Sequence, residues 1–155
     1  MNKAFQLASK DFQAGAAVPR QHTCEGADQS PELHWSDAPA GALTFALVVN
    51  DPDAPVGDWV HWVAWNIPSP EHEMAANFPR QEQTANGTRQ GRNDFRKIGW
   101  NGPCPPPGKT HRYFFRLYAL DTKLDLQPGA TRAQLDAAMQ GHILAKAEYM
   151  GTYRR

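Results

Sequence analysis

The sequence predicts an all-β or β-rich fold with long ordered loops. Three observations carry this. Glycine and proline supply 12 and 13 of the 155 residues, and both disfavour helix interiors while marking turns. Three short runs combine apolar residues with β-formers: LTFALVVN (43–50), VHWVAWNI (60–67) and HRYFFRLYAL (111–120). Helical spacing shows clearly in one place only, after Thr131, where Leu135, Ala138 and Met139 recur.

Taken in order, residues 19–41 read as loop, punctuated by Pro19, Gly26, Pro31, Pro39 and Gly41. The run 43–50 is a buried strand between Gly41 and Pro52. Asp51-Pro52-Asp53-Ala54-Pro55 cannot continue it, because two prolines remove two donors and fix two φ angles. Residues 60–67 form a second strand, ended by Pro68. Residues 68–110 hold no long periodic segment; a stretch of that length in a compact domain is functional or hides short strands. The third strand is 111–120. A helix over about 131–140 starts at Thr131, which serves as N-cap. Gly141 and a short turn over 142–144 follow, and AKAEYMGTY (145–153) closes the chain as a strand.

The chain is expected to be one domain over 1–155. Hydrophobic residues make up 41% and charged residues 21%, enough for a real core. Lys+Arg and Asp+Glu are 16 each, which argues against a generic nucleic-acid binder or a basic membrane-surface protein. Locally the balance breaks. Residues 1–79 carry 3 basic and 10 acidic side chains, and 80–116 carry 8 and 2. Either the two segments neutralise each other, the reading preferred for most of these charges, or the basic one holds an anion. No window approaches a membrane span and residues 1–10 hold no apolar leader, so the expected location is the cytoplasm. Cys24 and Cys104 are accordingly expected to be reduced free thiols, without the C-x-x-C spacing of a metal site.

Period two decides which side chains meet. On the second strand it puts Val60, Trp62 and Ala64 on one face and His61, Val63 and Trp65 on the other. On the third it puts His111, Tyr113 and Phe115 opposite Arg112, Phe114 and Arg116. Two Asp, two His, a Tyr and a rigid Gly102-Pro103 loop thus sit at strand ends beside Pro-rich loops, where a β scaffold builds its sites. Singly, each is more often a structural His or a turn-forming Asp. Three chemistries could use the set. Metal-dependent hydrolysis would take Asp51, Asp53, His61 and His111 as ligands, though no ligand-spacing motif is present. Nucleophilic catalysis lacks a G-x-S-x-G, and Ser30 and Ser36 have no partner base. Anion binding needs only imidazole, phenol and loop N–H donors, with Asp51 or Asp53 orienting a His.

These residues also form motifs. Asp51-Pro52-Asp53-Ala54-Pro55 followed by Asp58-Trp59-Val60-His61 resembles the D-P-D-x-P…W-x-H signature of phosphatidylethanolamine-binding proteins. Gly102-Pro103-Cys104-Pro105-Pro106 with His111-Arg112-Tyr113 resembles their G-P-P…H-R-Y signature in its bacterial form. Thr23-Cys24-Glu25-Gly26 with Ser30-Pro31-Glu32-Leu33-His34-Trp35, and Gly141-His142-Ile143-Leu144-Ala145 with Gly151-Thr152-Tyr153, are similar to the opening and ending of the bacterial and archaeal Raf-kinase-inhibitor-like branch. The resemblance spans about Thr23 to Tyr153. It implies a sandwich of two antiparallel sheets with Greek-key connections. It also implies a surface pocket for phosphate, acetate or a phospholipid headgroup, with Asp51, Asp53, Trp59, His61, Gly102, Pro103, His111 and Tyr113 as the binding set and no cofactor. A cis bond before Pro52 or Pro55 is implied as well. Glu32 departs from the usual Pro, and the ending at Arg155 lacks the C-terminal helix of larger members, so a more open pocket is expected. The resulting expectation is a non-enzymatic binder of a small anionic or phosphorylated ligand that modulates a kinase or other enzyme. The alternatives are a hydrolase using the Asp/His cluster, and a kinase or protease inhibitor acting through the pocket rim. A homodimer is compatible with either.

Overall fold

The computed structural model describes residues 4–155. Two antiparallel sheets stack face to face. The smaller has the order β1-β2-β5, built from β1 (Gln6–Ala8), β2 (Leu33–Ser36) and β5 (Glu73–Met74). The larger has the order β6-β4-β3-β7-β8, from β3 (Thr44–Asp51), β4 (Trp59–Pro68), β6 (Arg89–Gln90), β7 (Thr110–Leu120) and β8 (Ile143–Arg154). The three long sequence-predicted strands are present, as is the closing strand, which starts at Ile143 where a turn was expected. The loop expected over 19–41 is corrected in part, since it contains a short 3₁₀ turn at Arg20–His22 and β2. The stretch 68–110 hides two short strands, β5 and β6, one of the two readings it was given. Such two- to four-residue elements are too short to show periodicity.

The continuous apolar run of β3 follows from its position, because β3 is buried along its whole length. On one side Phe45, Leu47 and Val49 join Leu7, Leu33 and Trp35 of the small sheet in the core between the sheets. On the other side Ala46 and Val48 pack under Leu135 and Met139 of α1 (Arg132–Met139). That helix begins as the sequence predicts. The Thr131 hydroxyl accepts from Gln134 N, and the Gln134 side chain accepts from Thr131 N, forming a capping box.

Strict alternation fails on β4, and the failure matters for the site. Val49 faces Trp62 while Asn50 faces Val60, so His61 is the extra residue of a bulge. A bulge re-aims the side chains on either side of it. Val60 therefore joins Val63 and Trp65 beneath α1, while Trp62 and Ala64 point between the sheets. His61 leaves the face it was expected to share with Val63 and Trp65. Its ring meets Tyr113 of β7 edge-on at 5.2 Å.

All peptide bonds among the described residues are trans, including those before Pro52 and Pro55 where the resemblance implies cis. The expectation of free thiols is also overturned: Cys24 and Cys104 form a disulfide. The fold brings the chain after the 3₁₀ turn against the 102–108 loop, with Cys24 N donating to Pro103 O at 3.1 Å. The two Cα atoms stand 5.4 Å apart, within bridging range. Eighty residues of sequence separation hide that proximity. No helix among the described residues is long and apolar enough to cross a membrane.

Candidate functional site

β3 ends at Asp51 and β4 begins at Trp59. The turn between them, the start of β7 and the proline run after Pro103 enclose a cavity of about 220 Å³ at one end of the large sheet. Asp51, Trp59, His61, His111 and Tyr113 line it together. Pro55, Val56, Phe95, Pro105 and Pro106 complete largely apolar walls. The volume lies below the roughly 300–1,000 Å³ of sites for drug-sized molecules. It suits a small molecule.

Each polar side chain is oriented by a specific partner. Asp51 is buried, and its Oδ1 accepts from Asp53 N at 2.7 Å, the local turn that Asp-Pro-Asp favours. Its Oδ2 accepts from His111 Nδ1 at 2.6 Å. His61 donates from Nδ1 to the Asn101 carbonyl at 2.6 Å, which fixes its tautomer. In both rings Nδ1 is spent, so Nε2 is the nitrogen left for the cavity. Burial pushes the His61 imidazole below its ordinary value, against the Asn101 bond and the charges of Asp51, Asp28 and Asp94. At neutral pH the ring is therefore uncharged. The Tyr113 hydroxyl is buried and has no hydrogen-bond partner among the described residues. Burial first, and the Asp51 charge second, raise its pKa well above the ordinary phenol value. It stays a neutral O–H donor.

Three residues of the expected binding set lie outside the lining. Asp53 turns to Arg112, accepting from its backbone N, Nε and Nη2, each at 2.9 Å. That bidentate pair lowers the Asp53 pKa to about 2. Gly102 donates its N–H to Asp28 Oδ1 at 2.8 Å, so this loop donor is already used. A Cβ at 102 would stand 2.0 Å from the His22 carbonyl oxygen, which explains the glycine as a close-packing requirement. Pro103 accepts from Cys24 N. These three hold the walls rather than line them.

Sequence reasoning passed over Phe95, which packs edge-on against both His61 at 5.3 Å and Trp59 at 5.5 Å. It lies in an aperiodic loop between Asp94 and Arg96, where no local pattern marks it. Cys104, Pro105 and Pro106 belong to the second signature but were not carried into the binding set. The basic stretch 80–116 does not build the cavity either. Among the described residues no Lys or Arg lines it. Arg112 and Arg116 are held by Asp53 and Glu148, and Arg80 reaches the Trp100 carbonyl. Nor do any three His, Cys, Asp or Glu among the described residues gather as a metal would require.

The family model for phosphatidylethanolamine-binding protein matches residues 8–154. A UPF0098 protein of Methanothermobacter thermautotrophicus is 46% identical over 151 residues, covering 97% of this chain and 99% of its own. One from Aquifex aeolicus is 43% identical over 153 residues, covering 97% and 89%. Among solved structures, a phosphatidylethanolamine-binding protein homologue from Chlamydia trachomatis superposes with a TM-score of 0.90 at 40% identity, over 100% of this chain and 99% of the other. YbcL of E. coli, described as a member of the mammalian family, superposes at 0.91 with 35% identity over 99% of each chain. With a family match over nearly its whole length, and relatives and folds this similar, the chain belongs to the phosphatidylethanolamine-binding protein family.

Proposed function

We propose that this protein binds a small anionic, phosphorylated ligand in the cavity bounded by Asp51, His61, His111 and Tyr113, and acts as a binder rather than an enzyme. The observation that carries the reading is the convergence of two imidazoles, each with Nδ1 anchored, and an unpartnered phenol on one small cavity. A phosphate leaving water must recover its hydrogen bonds. The phenol O–H supplies one donor, and an imidazole whose Nδ1 is engaged adds an Nε2–H donor in its protonated form. Asp51 would repel an anion if it faced the cavity unpaired. Its two oxygens are instead occupied by His111 and the Asp53 N–H. Titration with a phosphomonoester, followed by nuclear magnetic resonance of the His61, His111 and Tyr113 rings, tests the reading. Perturbation confined to these rings supports it, and perturbation elsewhere contradicts it.

A second reading, phosphate-ester hydrolysis, draws on the Asp51–His111 pair, because a carboxylate that orients a His is the arrangement of a general base. Release of p-nitrophenol from its phosphate ester, lost in His111→Gln, would favour it. A protein partner such as a kinase or protease finds support in Val56, which is 77% exposed at the cavity lip. On location, the disulfide fits an oxidising compartment better than the reducing cytoplasm.

A further inference from the structure

We propose that the Cys24–Cys104 bridge is a polarised site of thiol exchange: a small thiol of the glutathione class adds to Cys24, and Cys104 leaves as a thiolate held by Arg155. The inference goes beyond the ligand reading and does not depend on what the cavity binds.

Both half-cystines are exposed, so a thiol can reach the bridge from solvent. Access of that kind is what makes a disulfide open to exchange. The two sulfurs have different surroundings. On the Cys104 side, Arg155 Nη1 stands 3.8 Å from Sγ and bonds the Pro105 carbonyl at 3.3 Å. The Arg155 carbonyl accepts from Gly108 N at 3.2 Å, so this cation is tied to the loop through backbone and side chain. Among the described residues it has no Asp or Glu partner. Lys109 is exposed further along the same loop. Asp51 and His111 line the cavity that Cys104 also lines, and they pair with each other.

On the Cys24 side the next residue is Glu25, whose carboxylate accepts from the Tyr153 hydroxyl at 2.6 Å. Arg20 is the cation of that turn, and its Nε is taken by the Glu25 carbonyl at 3.1 Å. Asp28 accepts from Gly102 N across the junction. A guanidinium favours a neighbouring thiolate, and a carboxylate disfavours one. In exchange, the sulfur with the more stable thiolate leaves more readily, and the nucleophile takes the other. Charge therefore directs attack to Cys24.

The step balances. The incoming thiolate forms an S–S bond to Cys24 Sγ, the Cys24–Cys104 bond breaks, and its electron pair departs on Cys104 Sγ. The incoming sulfur is oxidised and Cys104 is reduced. Cys24 N bonded to Pro103 O, and Gly102 N bonded to Asp28, keep the two segments together. Cys104 can then attack Cys24, expel the thiol and reclose the bridge. Cys104 lines the cavity and Cys24 does not, so exchange cuts the covalent tie behind that wall.

The test exposes the native, oxidised protein briefly to reduced glutathione and quenches with excess N-ethylmaleimide. Peptide mass spectrometry then places each label. The expected product carries glutathione on Cys24 and maleimide on Cys104, exceeding the reverse product by about tenfold or more. Arg155→Gln, a surface change that leaves both cysteines in place, brings the two products toward equal amounts. Arg155→Lys keeps a cation and retains the preference. Glutathione chiefly on Cys104, equal products in the wild type, an unchanged preference in Arg155→Gln, or a bridge that yields no mixed disulfide overturns the inference.

Discussion

Asp51 and His111 lie on neighbouring strands, 60 residues apart in sequence, and their Oδ2 and Nδ1 atoms meet at 2.6 Å with both side chains buried. The pair joins the end of β3 to the start of β7 and fixes the His111 ring against the cavity. Removing one partner strands the other in a low-dielectric site. Asp51→Ala is expected to destabilise the fold by about 2–4 kcal/mol, read from urea unfolding. Asp51→Asn keeps an acceptor for His111 and is expected to cost less.

The Asp53–Arg112 pair behaves differently because it is exposed to solvent. The Asp53 pKa is lowered to about 2 from 3.8, mainly by its side-chain bond to Arg112. The folded state therefore binds that proton less readily than the unfolded chain. Its contribution is full above about pH 4 and fades as pH falls toward 2. Urea midpoints across that range should fall in the wild type. In Asp53→Asn the fall should be shallower, with little difference between the two proteins at pH 2, and salt should shrink the gap at pH 6.

The disulfide closes an 80-residue separation and forms part of the cavity wall through Cys104. Thiol titration of denatured protein, purified without reductant, is expected to find no free thiol. Cys24→Ser should cost about 2–5 kcal/mol of stability. It should also loosen the 102–108 loop, measured as faster amide exchange at Cys104 and Gly108. Unchanged stability and exchange would mean that the bridge does not hold this wall.

Much of this architecture was legible in the sequence, for physical reasons that differ by residue. β3 was legible because burial on both faces leaves an unbroken apolar run from Phe45 to Val49. The faces of β7 were legible because His111, Tyr113 and Phe115 alternate with Arg112 and Arg116 around Phe114 without a bulge at that point. β4 was half legible. Its extent follows from composition, but the bulge at His61 depends on its pairing with β3, and no local pattern announces it. The same limit hid the disulfide and Phe95, which depend on which loops the fold brings together. The site motifs located Asp51, His61, His111 and Tyr113. They did not separate the residues that line the cavity from Asp53, Gly102 and Pro103, which hold its walls.

The central claim is that His61, His111 and Tyr113 together receive a phosphorylated ligand. Its most direct test is the affinity for ethyl phosphate at pH 6.5, by isothermal titration, in the wild type, His61→Ala and His142→Ala. A hydrogen bond to a charged group contributes about 1.5–3 kcal/mol, so His61→Ala should bind about ten- to a hundredfold more weakly. His142 pairs with Asp121 at 2.8 Å and lies outside the cavity lining, so its loss should leave affinity unchanged. Equal affinity for the wild type and His61→Ala would contradict the assignment of the site.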